Sequence, residues 1–245
     1  INCIIQARMG SKRLPGKVLL DITNGKKVIE FLIKQLETSN LKQKIVAIPN
    51  ETTDDILFNF LNNLKIPCYR GSKLDVLDRY YNCAKEFSFK HIMRITGDNP
   101  LIDPNIVNDA IQKYSNSDCD YLTNSIDRTF PNGAEVEIFS FVALEIAWKF
   151  AKKKSEREHV TSYFYNNPKK FKIHYYKQQQ NQSKFRYTID RKEDYDLVVE
   201  ILAKIKTRPI KTSDIIDLLT NAPELLKLNS DIIHNEGYIK SINED

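Results

Sequence analysis

Short β-type runs alternate with amphipathic helical stripes through the first half of the chain, and this alternation narrows the possible folds most. Residues 2–6, 44–48, 66–69, 91–96 and 120–124 are compact runs rich in apolar, β-branched or aromatic residues, each ending at a polar or turn-forming stretch. Helical patterns lie between them. Val28, Phe31, Leu32, Gln35 and Leu36 fall on one stripe of residues 28–39. Ile56, Leu57, Phe60 and Leu61 repeat the stripe after a cap expected at Thr53 or Asp54, and residues 74–87 and 104–114 continue the pattern. A βαβα order predicts an α/β fold, a sheet with helices on both faces. Ligands of such sheets bind beyond the carboxyl ends of the strands. The loops after Gln6, Tyr69 and Thr96 therefore matter most.

The second half is less regular. Residues 134–139, 172–176 and 186–189 read as strands, and 142–152, 155–165 and 194–204 as helices. A further helix is expected from a cap at Ser213 to the Asn221-Ala-Pro223 stop. No repeat or linker divides the 245 residues, so one domain over 1–245 is expected. Hydrophobic residues make up 41% and charged residues 28%, enough for a full core without disulfide or metal staples. Cys3, Cys68, Cys83 and Cys119 are scattered and form no CxxC pair, as expected of reduced thiols in a cytoplasmic protein. No apolar run is long enough to span a membrane, and the first residues lack a signal-peptide cleavage pattern. The net charge of +5 is spread along the chain and suits a solvated lysine-rich surface or an anionic small molecule. No basic run interleaved with aromatics points to nucleic acid.

The loop after the first strand, Gln6-Ala-Arg-Met-Gly-Ser-Lys-Arg-Leu-Pro-Gly-Lys17, carries Arg8, Lys12, Arg13 and Lys17 together with Gly10, Ser11 and Gly16. Cations combined with backbone amides that glycines leave approachable suit a polyphosphate. The spacing is neither a P-loop nor a GxGxxG. Two further segments, Arg94-Ile-Thr-Gly-Asp-Asn-Pro-Leu-Ile-Asp103 and Arg186-Tyr-Thr-Ile-Asp-Arg-Lys-Glu-Asp194, each place an aspartate after a β-type run. On the residues alone, Asp98 is either a turn former or a functional carboxylate. Asp103 reads as a helix cap and Asp194 as a carboxylate at a helix N-terminus.

The loop from Ala7 to Lys17 resembles the signature loop of the cytidylyltransferases that make CMP-sugar acids, the CMP-Kdo and CMP-sialic acid synthetases, and is most similar to their SpsF-like branch. The resemblance implies a nucleotide-diphospho-sugar transferase fold, a GT-A-like, Rossmann-like mixed sheet flanked by helices. It implies transfer of CMP from CTP to an anionic acceptor, an acidic sugar or related metabolite, with release of pyrophosphate. Arg8, Lys12, Arg13 and Lys17 would hold the triphosphate, helped by Ser11 and by amides around Ala7 and Gly10. Gly97-Asp98-Asn-Pro-Leu-Ile102 resembles the segment whose aspartate binds Mg²⁺. Asp190 resembles the second metal aspartate, although Arg191-Lys192 stands where the family has Thr-Pro. Thr96, Gly97, Arg70 and Ser72 would lie beside the nucleotide. Asp75, Asp78 and Arg79 fit either that site or a salt-bridge set on a helix face.

Arg128-Thr-Phe-Pro-Asn-Gly-Ala-Glu-Val-Glu137 and Arg157-Glu-His-Val-Thr161 resemble the branch's acceptor segments. They make Arg128, Glu135, Glu137, Arg157 and His159 the expected acceptor residues. Glu135 stands where the pattern has Asp, and His159 could equally be a packed helical histidine. The stretch 235–241 also resembles the end of that branch. A lobe at about 126–182 and a homodimer are implied. Two rival readings remain: a GT-A glycosyltransferase, for which Asp118-Cys-Asp120 and Asp194-Tyr-Asp196 are the available Asp-x-Asp triplets, and a non-catalytic nucleotide-binding module.

Overall fold

The computed structural model describes residues 1–232, 241–242 and 245. The likeness read at 235–241 lies outside them except for Ser241.

The first strand, β1 (Asn2–Gln6), sits near the middle of a seven-stranded sheet. Its Cys3, Ile4 and Ile5 are fully buried, as a parallel strand covered on both faces requires. A short hairpin follows, β2 (Asp21–Thr23) and β3 (Lys26–Lys27), turning on Asn24-Gly25 with both residues at positive φ. Helix α1 (Val28–Gln35) leads to β4 (Lys44–Pro49), α2 (Asp55–Asn63) to β5 (Cys68–Gly71), and α3 (Val76–Glu86) to β6 (His91–Thr96). Then come α4 (Pro104–Ser115), β7 (Tyr121–Thr123), β8 (Glu137–Ser140) and α5 (Phe141–Phe150). The chain continues through α6 (Lys154–His159), α7 (Ser162–Asn166), β9 (Ile173–Tyr175), α8 (Lys192–Lys204), α9 (Thr212–Asn221) and α10 (Pro223–Leu226).

The spatial order is β5-β4-β1-β6-β8-β7-β9. Every pairing is parallel except those of β8, which runs antiparallel to both β6 and β7. The result is the expected mixed sheet. Alternation along β1 sends Cys3 and Ile5 into one core, with α1, α2, α4, α8 and α9, while Ile4 enters the other, with α3, α5 and α7. Residues 126–182 contribute β8 and β9 to this same sheet. No helix among the described residues is long and apolar enough to cross a membrane.

Four local expectations differ from the structure. Residues 155–165 are not one helix: the chain breaks between α6 and α7 at Val160, a buried residue at φ 62°. The break lets Val160 and Phe164 both enter the second core. Residues 186–189 form no strand. Their amides are spent on loops instead, Tyr187 N–H on the Asn132 carbonyl and Ile189 N–H on the Asp98 carbonyl. Ser213 lies inside α9, which begins a residue earlier because Thr212 N–H donates to Asp103 Oδ2. Asp54 makes no cap bond to α2, its carboxylate being used elsewhere.

Candidate active site

Register brings the site together. Gln6 of β1 lies beside Ala47 of β4 and Thr96 of β6, so the front loop and the loop carrying Asp98 leave the sheet side by side. They are in contact: Gly97 N–H donates to the Gln6 carbonyl, and a Cβ on Gly97 would come within 3.0 Å of that oxygen and 3.1 Å of Ala7 Cβ. Glycine is needed there for closeness.

The front loop folds on itself. Ser11 and Gly16 N–H both donate to the Met9 carbonyl, and Leu14 N–H donates to Ser11 Oγ. Gly16 at φ 69° then turns the chain into a single 3₁₀ turn, Lys17–Leu19, aiming Lys17 inward. The loop's base is held by a residue whose role the sequence did not disclose. Asp54, 2% exposed, accepts from Met9 N–H at 2.8 Å. Among the described residues, the N–H groups of Gly10, Lys12 and Arg13 take part in no internal hydrogen bond, and Arg8 and Lys12 form no ion pair. Open amides beside two unpaired cations are the kind of arrangement that suits an anion.

Asp190 reaches the same place from the far end of the chain. The segment before it runs against the loop that follows β6, with Ile189 N–H and Thr188 Oγ both donating to the Asp98 carbonyl. Its position is fixed from below by Asp194, which is fully buried. Asp194 accepts from the backbone N–H of Asp190 and Arg191, from Arg186 Nε and Nη2, and from Asn229 Nδ2. The sequence showed Asp194 as a carboxylate at a helix N-terminus, which it is, but not its pairing with Arg186.

The two candidate metal carboxylates converge on one ammonium. Lys17 Nζ stands 2.7 Å from Asp98 Oδ2 and 3.1 Å from Asp190 Oδ1, and Arg13 Nε is 2.7 Å from Asp190 Oδ2. Burial alone would raise the pKa of both aspartates. For Asp98 the charge and hydrogen bond of Lys17, with a bond from Thr96, outweigh it; for Asp190 Lys17 and Arg13 do so. Both are held below the usual carboxylate range. This donor set fits a hard divalent cation: two carboxylate oxygens already face one positive centre, and Mg²⁺ takes one or two carboxylates with water and phosphate oxygens. No group of three or more acidic, histidine or cysteine side chains among the described residues offers a fuller cage.

The other expected residues separate. Arg70 donates to the Glu51 carbonyl at 2.8 Å and pairs with Asp55, and Ser72 Oγ accepts from Asp75 N–H, beside a cavity of about 680 Å³ lined by Asn50, Glu51, Gly71, Ser72, Lys73 and Leu74. Asp75, Asp78 and Arg79 are no salt-bridge set. Asp75 caps α3 and binds Arg157, Asp78 accepts from Trp148 Nε1, and the buried Arg79 donates to the Ser72 carbonyl, burial lowering its pKa to about 10.

Arg157, expected on the acceptor side, is committed to Asp75 and to the Trp148 carbonyl. Glu137 is buried and paired with Arg94 and with the Tyr121 hydroxyl. Arg128 pairs with Glu135, which also accepts from Asn99 Nδ2 and from Gly133 N–H. His159 lies 2.6 Å from Ser241 Oγ, and burial depresses its pKa, with Arg94 and Arg8 adding to the effect against Glu158. Asp118 and Asp120 sit before β7, which runs the same way as β6, so they lie at the opposite end of the strands from Asp98, where both meet Lys172. Asp196 pairs with Lys192 on the surface of α8. Neither Asp-x-Asp triplet brings its two carboxylates to the site, Asp194 serving only as the buried support of Asp190.

A mixed α/β sheet with a cationic loop after β1 and two carboxylates converging beneath it defines a protein of the nucleotidyltransferase class. Residues 2–223 match the family described as cytidylyltransferase, and the chain belongs to that family. It is 38% identical to an uncharacterized protein, MJ1063, of Methanocaldococcus jannaschii, over 94% of each chain. It is 32% identical to the spore coat polysaccharide biosynthesis protein SpsF of Bacillus subtilis, over 90% of this chain and 94% of that one. A solved cytidylyltransferase structure from Leptospira borgpetersenii superposes with a TM-score of 0.88 at 32% identity, covering 95% of this chain and 98% of the other.

Proposed function

We propose that the protein transfers CMP from CTP to an acidic sugar or related anionic metabolite, with Mg²⁺, in the cytoplasm and in the service of surface polysaccharide synthesis. The observation that carries this reading is the convergence of Asp98 and Asp190 on one positive centre beneath the open amides of the front loop. Arg8, Lys12 and the free amides of Gly10, Lys12 and Arg13 receive the β- and γ-phosphates. Asp98 and Asp190 would hold the divalent ion, which when bound would neutralise phosphate charge and lower the proton affinity of the attacking oxygen. An acceptor oxygen then attacks the α-phosphorus in line. The new O–P bond forms as the bond to the β-phosphate oxygen breaks, pyrophosphate leaves with that electron pair, and the acceptor's proton passes to solvent. Arg128 with Glu135, together with His159, lines the acceptor side, while Glu137 is spent on Arg94 and Tyr121. Association of two copies through residues 126–182 is part of the same proposal.

The test is pyrophosphate release from CTP, ATP, GTP and UTP against a panel of sugar acids and phosphorylated metabolites, with and without Mg²⁺. Release is expected with CTP and an acidic acceptor only when Mg²⁺ is present, falling about a hundredfold or more in Asp98→Ala and in Asp190→Ala. Unchanged turnover in either variant would remove the carboxylates from the mechanism. Sugar transfer from a nucleotide sugar, without pyrophosphate, would favour a glycosyltransferase.

A further inference from the structure

The ammonium of Lys17 occupies the point on which both metal-binding candidates converge. Its distances to Asp98 and Asp190 are 2.7 and 3.1 Å, and Arg13 takes the remaining oxygen of Asp190. Two cations thus face two carboxylates, and their charges cancel. We propose that Lys17 keeps the divalent-cation position filled in the free protein, so that Mg²⁺ alone binds poorly and enters together with the triphosphate. This rests on the assignment of Asp98 and Asp190 as metal carboxylates made above.

Three features support the exchange. Lys17 is rooted in the front loop itself, in the 3₁₀ turn after Gly16, and its side chain is only 10% exposed, so its charge is directed inward. The loop's unpaired cations and open amides lie a few residues from that root, so a triphosphate landing there brings a rival anion to the ammonium. Lysine carries a compact charge on a flexible stem and can change partners without backbone rearrangement. A bare Mg²⁺ ion, in contrast, must shed tightly held water and expel an ammonium already paired with both carboxylates. With the nucleotide present, the ammonium gains phosphate oxygens and the carboxylates are released. Metal and nucleotide then raise each other's affinity by the same factor.

The experiment is titration calorimetry of the full chain with Mg²⁺ alone, repeated with CTP present and no acceptor, on wild type, Lys17→Met and Lys17→Gln. Wild type is expected to bind Mg²⁺ weakly without CTP. At least one Lys17 variant should bind it about tenfold tighter or more, and should lose that gain when Asp98→Asn is added. Mg²⁺ should also raise the melting temperature of that variant above the rise seen in wild type. The proposal falls if neither variant binds Mg²⁺ more tightly than wild type, or if wild type binds CTP and yet binds Mg²⁺ no more tightly with CTP than without it. The parent reading fails separately. If wild type binds no CTP with Mg²⁺ while a Lys17 variant gains the metal site, the placeholder stands and the CTP assignment does not.

Discussion

Two ionic clusters, one across the strands of the sheet and one in the loops beyond them, are held in opposite ways. Arg94 and Glu137 are register partners across β6 and β8, and Tyr121 on β7 donates its hydroxyl to the same carboxylate. That cluster is fixed by the sheet, and the Glu137 side chain is 4% exposed. The Lys17, Arg13, Asp98 and Asp190 cluster is held by no ladder. Its members come from loops, and its two carboxylates are 26% and 20% exposed. Charges locked by strand register serve stability, whereas charges held by mutual attraction at a loop can be exchanged for a ligand.

The sharpest way to break this contrast is to remove one cation from each cluster. Arg94→Met strands the buried Glu137 charge and should cost about 3–5 kcal/mol in urea denaturation. Arg13→Ala removes a guanidinium that is 36% exposed, and should cost less than about 1 kcal/mol while weakening CTP binding. Equal losses in the two variants would erase the distinction. A smaller effect is expected at Asp54→Ala, which leaves Met9 N–H without its acceptor. It should cost about 1–3 kcal/mol and raise KM for CTP more than it lowers kcat. A change confined to kcat would show that Asp54 acts elsewhere.

Smaller still, Arg157→Lys should leave KM for the acceptor within about twofold, since the pair with Asp75 is part-exposed and structural. A large rise in acceptor KM would return Arg157 to the pocket. The smallest effect is one of pH. Burial keeps the folded pKa of His159 below its ordinary value, so as pH falls from about 6.5 the unfolded chain takes up a proton that the folded chain refuses. Stability should therefore decline between pH 7 and 5, and His159→Gln should flatten the decline. An unchanged slope would rule His159 out as its source.

Much of the architecture was legible because its signals are local. The apolar runs at β1, β4 and β6 and the helical stripes between them sit where periodicity placed them. The front loop and Asp98 were legible because a strand end announces the loop that follows. What stayed hidden depends on distant partners. Asp54 looks like a cap until the Met9 amide arrives, and residues 186–189 look like a strand until their N–H groups are given to Asn132 and Asp98. Arg157 sits in a motif that resembles acceptor-site residues, yet its guanidinium is bound to Asp75, 82 residues away. Val160 shows no helix-breaking signal, because core packing rather than its own propensity sets its positive φ.

The segment that delivers Asp190 also sets when the site comes into being. Lys17 meets Asp98 across 81 residues but Asp190 across 173. Contacts of such sequence separation pay their loop-closure entropy late. The front of the chain can therefore fold its parallel strands and front loop while it still lacks one of the two candidate metal carboxylates. During synthesis or refolding, secondary structure should return before pyrophosphate-releasing activity, and the lag between the two signals measures the docking of residues 185–194.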